Sequence, residues 1–113
     1  MKDDLITDLQ QETKILSASI NRLTQTGRAA AQADHDYRVA LAQKILILRA
    51  DGMQATLMSD VCRGDKEIAK LRLERDISQT IYQANLEVIN ACKLKIRIMD
   101  SQLSREWGRP ENS

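Results

Sequence analysis

The sequence predicts an all-α protein, and three observations predict it. Aromatic residues make up 3% of the chain, with no Phe, while 42% of residues are apolar and these are mostly Leu, Ile and Ala. Such a mixture, with abundant Glu, Lys, Arg and Gln, favours helices, whereas strands draw on aromatic and β-branched side chains. Apolar residues also recur at steps of three and four over two long stretches, the period of a helix face. Finally, Gly52, Gly64 and Gly108 punctuate the ends of those stretches, and the single Pro, Pro110, follows them, as helix stop signals do.

The first helix is expected over about residues 3–50. Leu5, Leu9, Leu16, Ile20 and Leu23, then Ala30, Tyr37, Leu41, Ile45 and Leu48, lie on one face. From Leu16 the alternating steps of four and three pass through Ile20, Leu23, Gly27, Ala30, Asp34, Tyr37, Leu41, Lys44 and Leu48. This is a heptad seam with a waist of small residues and polar breaks at Asp34 and Lys44. At Gly27 the helix either curves through, breaks and restarts, or lets a neighbour approach closely.

An elbow is expected over 51–64. Asp51-Gly52 closes the first helix, because Gly adopts the left-handed C-terminal conformation freely. Met53 to Cys62 has room for two or three helical turns, with Leu57, Met58 and Val61 facing inward. Asp65 is an N-cap for the next helix, since its carboxylate accepts from the first free N–H groups.

The second long helix is expected over 65–107. One apolar stripe is Ile68, Leu71, Tyr82, Ile89, Cys92, Ile96, Met99 and Leu103; a second is Ile77, Ile81, Ala84, Val88, Ala91 and Ile98. Lys70–Glu74 and Arg72–Asp76 have the four-residue spacing of supporting ion pairs. The tail 108–113 is expected to be disordered. The whole, 1–113, reads as one helical domain, a long antiparallel hairpin joined by a short helical elbow. A single hairpin covers one stripe and leaves the other in water. Self-association into a helical bundle is therefore expected, most simply a dimer, with Tyr82, Ile89, Ile96, Met99, Leu103 and the terminal Trp107 as its residues. Trp107 is equally a packing anchor or an interface hot spot.

Charge and composition narrow the function. Residues 1–52 carry seven basic and seven acidic side chains and residues 53–113 carry ten and nine. Nucleic-acid coats show a positive excess because phosphate neutralisation drives their binding, so nucleic acid is a second choice of partner. No apolar run approaches the ~20 residues of a membrane span. Cys62 and Cys92 lack metal-ligand spacing, and with the polar N-terminus they point to a reducing, cytoplasmic setting. The sole histidine sits in Asp34-His35-Asp36, but consecutive helical residues diverge by ~100° and cannot converge on a metal. There is no phosphate-binding Gly-rich loop, dinucleotide fingerprint or nucleophile motif. No catalytic residue, metal or other cofactor is expected.

What remains are surfaces. Met53, Leu57, Met58 and Arg63 at the elbow either cap the hairpin or dock a protein partner; methionine suits adaptable contacts. Lys93, Lys95 and Arg97 form the densest basic stretch, a candidate phosphate stripe, but no aromatic residues interleave it for base stacking.

Tyr37-Arg38, the run Leu46-Ile47-Leu48-Arg49-Ala50-Asp51-Gly52-Met53, Arg63-Gly64-Asp65, Arg75-Asp76 and the closing Arg105-Glu106-Trp107 resemble small helical proteins encoded by phages and prophages of Gram-positive bacteria. The resemblance covers about two thirds of the chain. It implies a phage setting in a bacterial host cytoplasm and supplies no functional residues. The function expected on this basis is non-catalytic binding and modulation of a host or phage protein. A concrete form is inhibition of a host nucleic-acid-handling or defence nuclease, of the anti-CRISPR type. The alternatives are a nucleic-acid-binding accessory of phage recombination or replication and, third, a virion assembly scaffold.

Overall fold

The computed structural model describes residues 2–108, which form three helices: α1 (Lys2–Ala50), α2 (Ala55–Gly64) and α3 (Lys66–Gly108). Among the described residues there is no strand. Gly108, expected to open a disordered tail, is the last residue of α3, and the rest of that tail, 109–113, lies outside the described residues. The architecture is a helical hairpin in which α1 and α3 pack antiparallel, and it divides into two compact units. One comprises Gln25–Tyr82; the other comprises the residues up to Thr24 together with those from Gln83 onward.

The helix ends follow from the residues placed there. Gly52 has φ +82°. Its N–H donates to the Arg49 carbonyl at 3.0 Å, and the Met53 N–H donates to the Leu48 carbonyl at 3.0 Å. These two bonds satisfy carbonyls that the last turn of α1 would otherwise leave open, and Met53 then packs against the apolar cluster to which Leu48 belongs. At the start of α3, Asp65 Oδ1 accepts from the N–H groups of Glu67 and Ile68, both at 3.0 Å. The other oxygen, Oδ2, lies 3.2 Å from Lys44 Nζ. The N-cap of α3 is thereby tied to α1.

In the Gln25–Tyr82 unit, α2 packs against α1. Leu48, Met58 and Cys62 form its buried cluster, with Leu41, Ile45 and Met53 packed against it. Met58 and Cys62, four residues apart, are the buried face of α2. Leu57 is 53% exposed and Val61 is also exposed, so two of the three residues expected to face inward do not. The reason is the helix phase. The residues that reach the cluster are Met58 and Cys62, and Leu57 and Val61 lie one position earlier, about 100° around the helix.

Gly27 does not break α1, which is continuous from Lys2 to Ala50. One Gly costs a helix about 1 kcal/mol relative to Ala, and the Arg-Ala-Ala-Ala run after it sustains the helix. Its role is close approach: a Cβ at Gly27 would lie 3.2 Å from Tyr82 Cε1.

In the other unit, α1 and α3 have only each other. Ser19 is 0% exposed, and the Asn85 side-chain amide donates to its carbonyl at 2.9 Å. Ile89 and Cys92 are buried in the same seam. Ser19, rather than the expected Ile20, occupies this seam position, and Ile20 is exposed. The step from Leu16 is three and then four to Leu23, the opposite order from the one the apolar pattern favours.

Candidate binding cleft at the helical elbow

Within the Gln25–Tyr82 unit all three helices border an open cleft of about 570 Å³. Its floor is aliphatic and sulfur-bearing: Leu41 and Ile45 from α1, Met58 and Cys62 from α2, Ile68 from α3. Its rim carries Arg49, Arg63, Arg72 and Arg75, and no acidic residue lines it. The volume falls within the ~300–1,000 Å³ typical of ligand pockets. Four lining arginines in a protein of net charge +1 make this a local concentration of positive charge.

The arginines differ in their commitments. Arg75 stacks 4.5 Å from the centroid of the Tyr37 ring. It also donates to Asp76 Oδ1 from Nε at 3.1 Å and from Nη2 at 2.9 Å. Asp76 is therefore held by Arg75 and not by Arg72, the partner its spacing suggested. Among the described residues no ion pair involves Arg49, Arg63 or Arg72, and all three are exposed. Arg49 and Arg63 sit in the last turns of α1 and α2, where a cation also complements the helix dipole.

Of the residues singled out at the elbow, Met58 forms part of the cleft floor and Arg63 part of its rim, while Met53 packs beneath in the core cluster and Leu57 points away. Sequence reasoning missed Arg49, Arg72, Arg75, Tyr37, Leu41 and Ile45 as members of this site. Arg49 and Arg72 lie on different helices, and only tertiary packing brings them to one rim.

The basic stretch is not one stripe. Lys93 and Arg97 line a shallow depression with Asp100 and with Leu9 and Thr13 of α1. Lys95 lies two residues from each, about 200° around the helix, with its Nζ 3.6 Å from Glu12 Oε1. Only two of the three cations share a surface, and a carboxylate shares it with them.

Most of the residues expected to serve self-association lie on the seam within the chain. Ile89 is buried against α1, and Tyr82, Ile96, Met99 and Leu103 are partly buried on the same seam. The stripe left in water is the other one: Ile77, Ile81, Val88 and Ile98 are about half exposed. The physical reason is phase. The steps 68, 71, 75, 78, 82, 85, 89, 92, 96, 99, 103 and 106 alternate between three and four without interruption, although Arg75, Ser78, Asn85 and Glu106 interrupt them as an apolar pattern. Trp107 is 66% exposed.

Asp34, His35 and Asp36 do not converge. Asp34 Oδ2 pairs with Arg38 Nε at 2.9 Å, while Asp36 Oδ1 accepts from Gln32 Nε2 at 2.8 Å and lies 3.2 Å from His35 Nδ1. Among the described residues no group of three or more His, Cys, Asp or Glu is placed to hold a metal. The two cysteines are buried and unpaired. Burial pushes the Cys92 thiol up from its ordinary value, and hydrogen bonding to Glu12 and that residue's charge push it further, so it stays protonated at neutral pH. No helix among the described residues is long and apolar enough to cross a membrane. Compared with family models, curated proteins and solved structures, the chain shows no significant match to any.

Proposed function

We propose that this is a non-catalytic helical interaction protein that seats a segment of a protein partner in the elbow cleft. The observation that carries the reading is the cleft itself, an aliphatic floor open to solvent beneath a rim whose Arg49, Arg63 and Arg72 have no ion pair among the described residues. Its lining offers guanidinium groups and apolar surface. The phage setting, and inhibition of a nucleic-acid-handling or defence nuclease within it, rest on the resemblance of residues 37–107 alone. The nucleic-acid reading is the weaker one, because Lys95 is turned to Glu12 and Asp100 shares the Lys93–Arg97 depression.

A photo-crosslinking residue at Ser59, on the cleft wall, tests the reading in a Gram-positive host. One discrete protein adduct is expected from Ser59, none from exposed Gln10, and none from Ser59 once Ala69→Trp fills the cleft. An adduct that survives the Trp would place the binding surface elsewhere and overturn the proposal.

Self-association is a second reading, favoured by the exposed Ile77, Ile81, Val88 and Ile98. Covering such side chains contributes about 1.5–3 kcal/mol each when burial is complete. Sedimentation equilibrium at micromolar concentration is expected to show a dimer that Ile81→Glu with Val88→Glu converts to monomer. A monomeric unmutated chain ends this reading.

A further inference from the structure

We infer that the occupant of the elbow cleft is an acidic amphipathic helix, one whose apolar stripe is flanked by Glu or Asp. The inference rests on the interaction reading above and adds the chemistry of the partner.

Two features of the lining require two features of the ligand. The floor of Leu41, Ile45, Met58 and Ile68 gains nothing from a hydrated ion, since its contribution comes from removing apolar surface from water. A free phosphate or an oligoanion would leave that floor uncovered. The rim supplies Arg49, Arg63 and Arg72, each without an ion pair among the described residues, and no lining carboxylate offsets them. A purely apolar segment would lay its flanks against three guanidinium groups and strip water from them without giving a counter-charge. Guanidinium is suited to carboxylate because its planar fork donates two parallel hydrogen bonds. A helix that inserts Leu or Ile side chains between these arginines, with carboxylates a turn to either side, meets both demands at once.

The same lining disfavours nucleic acid. Single-stranded bases are held by open aromatic faces, and the only aromatic residue of the cleft is Tyr37, whose ring Arg75 already covers at 4.5 Å. A basic amphipathic helix is disfavoured by like charge along the whole rim.

The test uses the full chain and three labelled synthetic peptides of about 18 residues, roughly 27 Å as helices, read by fluorescence anisotropy. The first has a Leu stripe flanked by Glu, the second the same stripe flanked by Lys, and the third the Glu flanks with Ala in place of Leu. Binding of the first alone is expected, weakened by added salt. Arg49→Glu with Arg72→Glu, both on exposed positions, is expected to weaken it at least about tenfold while the helical circular dichroism is unchanged. Equal binding of the Lys peptide, or of the Ala peptide, overturns the inference. So does a single-stranded oligonucleotide that binds more tightly and is lost in the same double variant. The two levels fail separately. If the Ser59 crosslinker captures a partner that the Glu–Leu peptide does not displace, the cleft is a docking site and the acidic chemistry is wrong. If neither partner nor peptide engages the cleft, both conclusions fall.

Discussion

Where α2 packs beside α1 and α3, the interior is an apolar cluster of Leu48, Met58 and Cys62, and the ion pairs Lys44–Asp65 and Arg75–Asp76 lie outside it. Where α1 and α3 have only each other, the seam includes Glu12, Ser19, Asn85, Cys92 and Glu106. There Glu12 Oε2, Ser19 Oγ and Glu106 Oε2 are buried without a hydrogen-bond partner among the described residues. The difference follows from geometry. Two helices enclose a strip one side chain wide, which long polar side chains can bridge and partly leave. A third helix widens the interior, so apolar side chains have neighbours on several sides and dispersion contacts accumulate. The three-helix unit should therefore hold most of the stability, and it also holds the cleft, because a third helix is what makes a concavity.

The largest expected effect separates the two interiors. Leu48→Ala should cost about 3–4 kcal/mol and Ile89→Ala about 2–3 kcal/mol, within the range for buried large-to-small changes. Both residues are buried to a similar degree, so the difference reports how far each surrounding can collapse into the space left. Urea unfolding followed by circular dichroism measures both. Equal losses would show that the third helix adds nothing to packing.

Ser19→Ala sharpens the contrast from the other side. It removes a buried hydroxyl oxygen without a partner and places a better helix former in α1, so it should raise stability by about 1 kcal/mol. The Asn85 bond goes to the Ser19 backbone carbonyl and survives the change. A loss in the same unfolding assay would mean that the hydroxyl has a role that the seam geometry does not reveal.

At Gly27 two effects of similar size oppose each other. Ala would gain about 1 kcal/mol of helix propensity, but its Cβ would sit 3.2 Å from Tyr82 Cε1. The Tyr82 ring must shift by a few tenths of an ångström, and the net change should be within about 0.5 kcal/mol of zero. In a Tyr82→Leu background the crowding is gone, and Gly27→Ala should show most of its gain. A double-mutant cycle on melting temperature reads the coupling.

The smallest expected effect concerns pH. The Asp65 carboxyl is held below its ordinary 3.8, first by the Ile68 N–H and then by Lys44. A carboxyl lowered on folding contributes stability that is fully present above the unfolded value and is lost as pH falls through the folded one. Asp65→Ala should therefore melt below the unmutated protein at pH 7, and the gap should close as pH drops below about 3.8.

Much of this was legible in the residues. The two long helices, the elbow, the left-handed Gly52 and the Asp65 cap each follow from local chemistry, since a turn or cap is decided by a few neighbouring groups. The seam was legible where it is apolar and was misread where it is not. Ser19 is buried and Ile20 is not, although hydrophobicity argues the reverse, because burial there depends on the register of the facing helix and on the Asn85 amide. The cleft was half legible. Met58 and Arg63 announced an elbow surface, but Arg49 and Arg72 reach the rim from helices separated by the whole of α2.

The sequence by itself determined the secondary structure, since Ala, Leu and charged residues at helical period leave the chain no competing conformation, and it determined where the chain turns, since Gly52 and Asp65 act locally. Only the tertiary structure decided which of the two apolar stripes on α3 meets α1. Both have helical period and comparable apolar content, and the choice is made by summed contacts along a partner helix that no local pattern encodes. It likewise decided that three arginines from three helices share one rim above an aliphatic floor, because the position of a side chain in space is a property of packing and not of its neighbours in the chain.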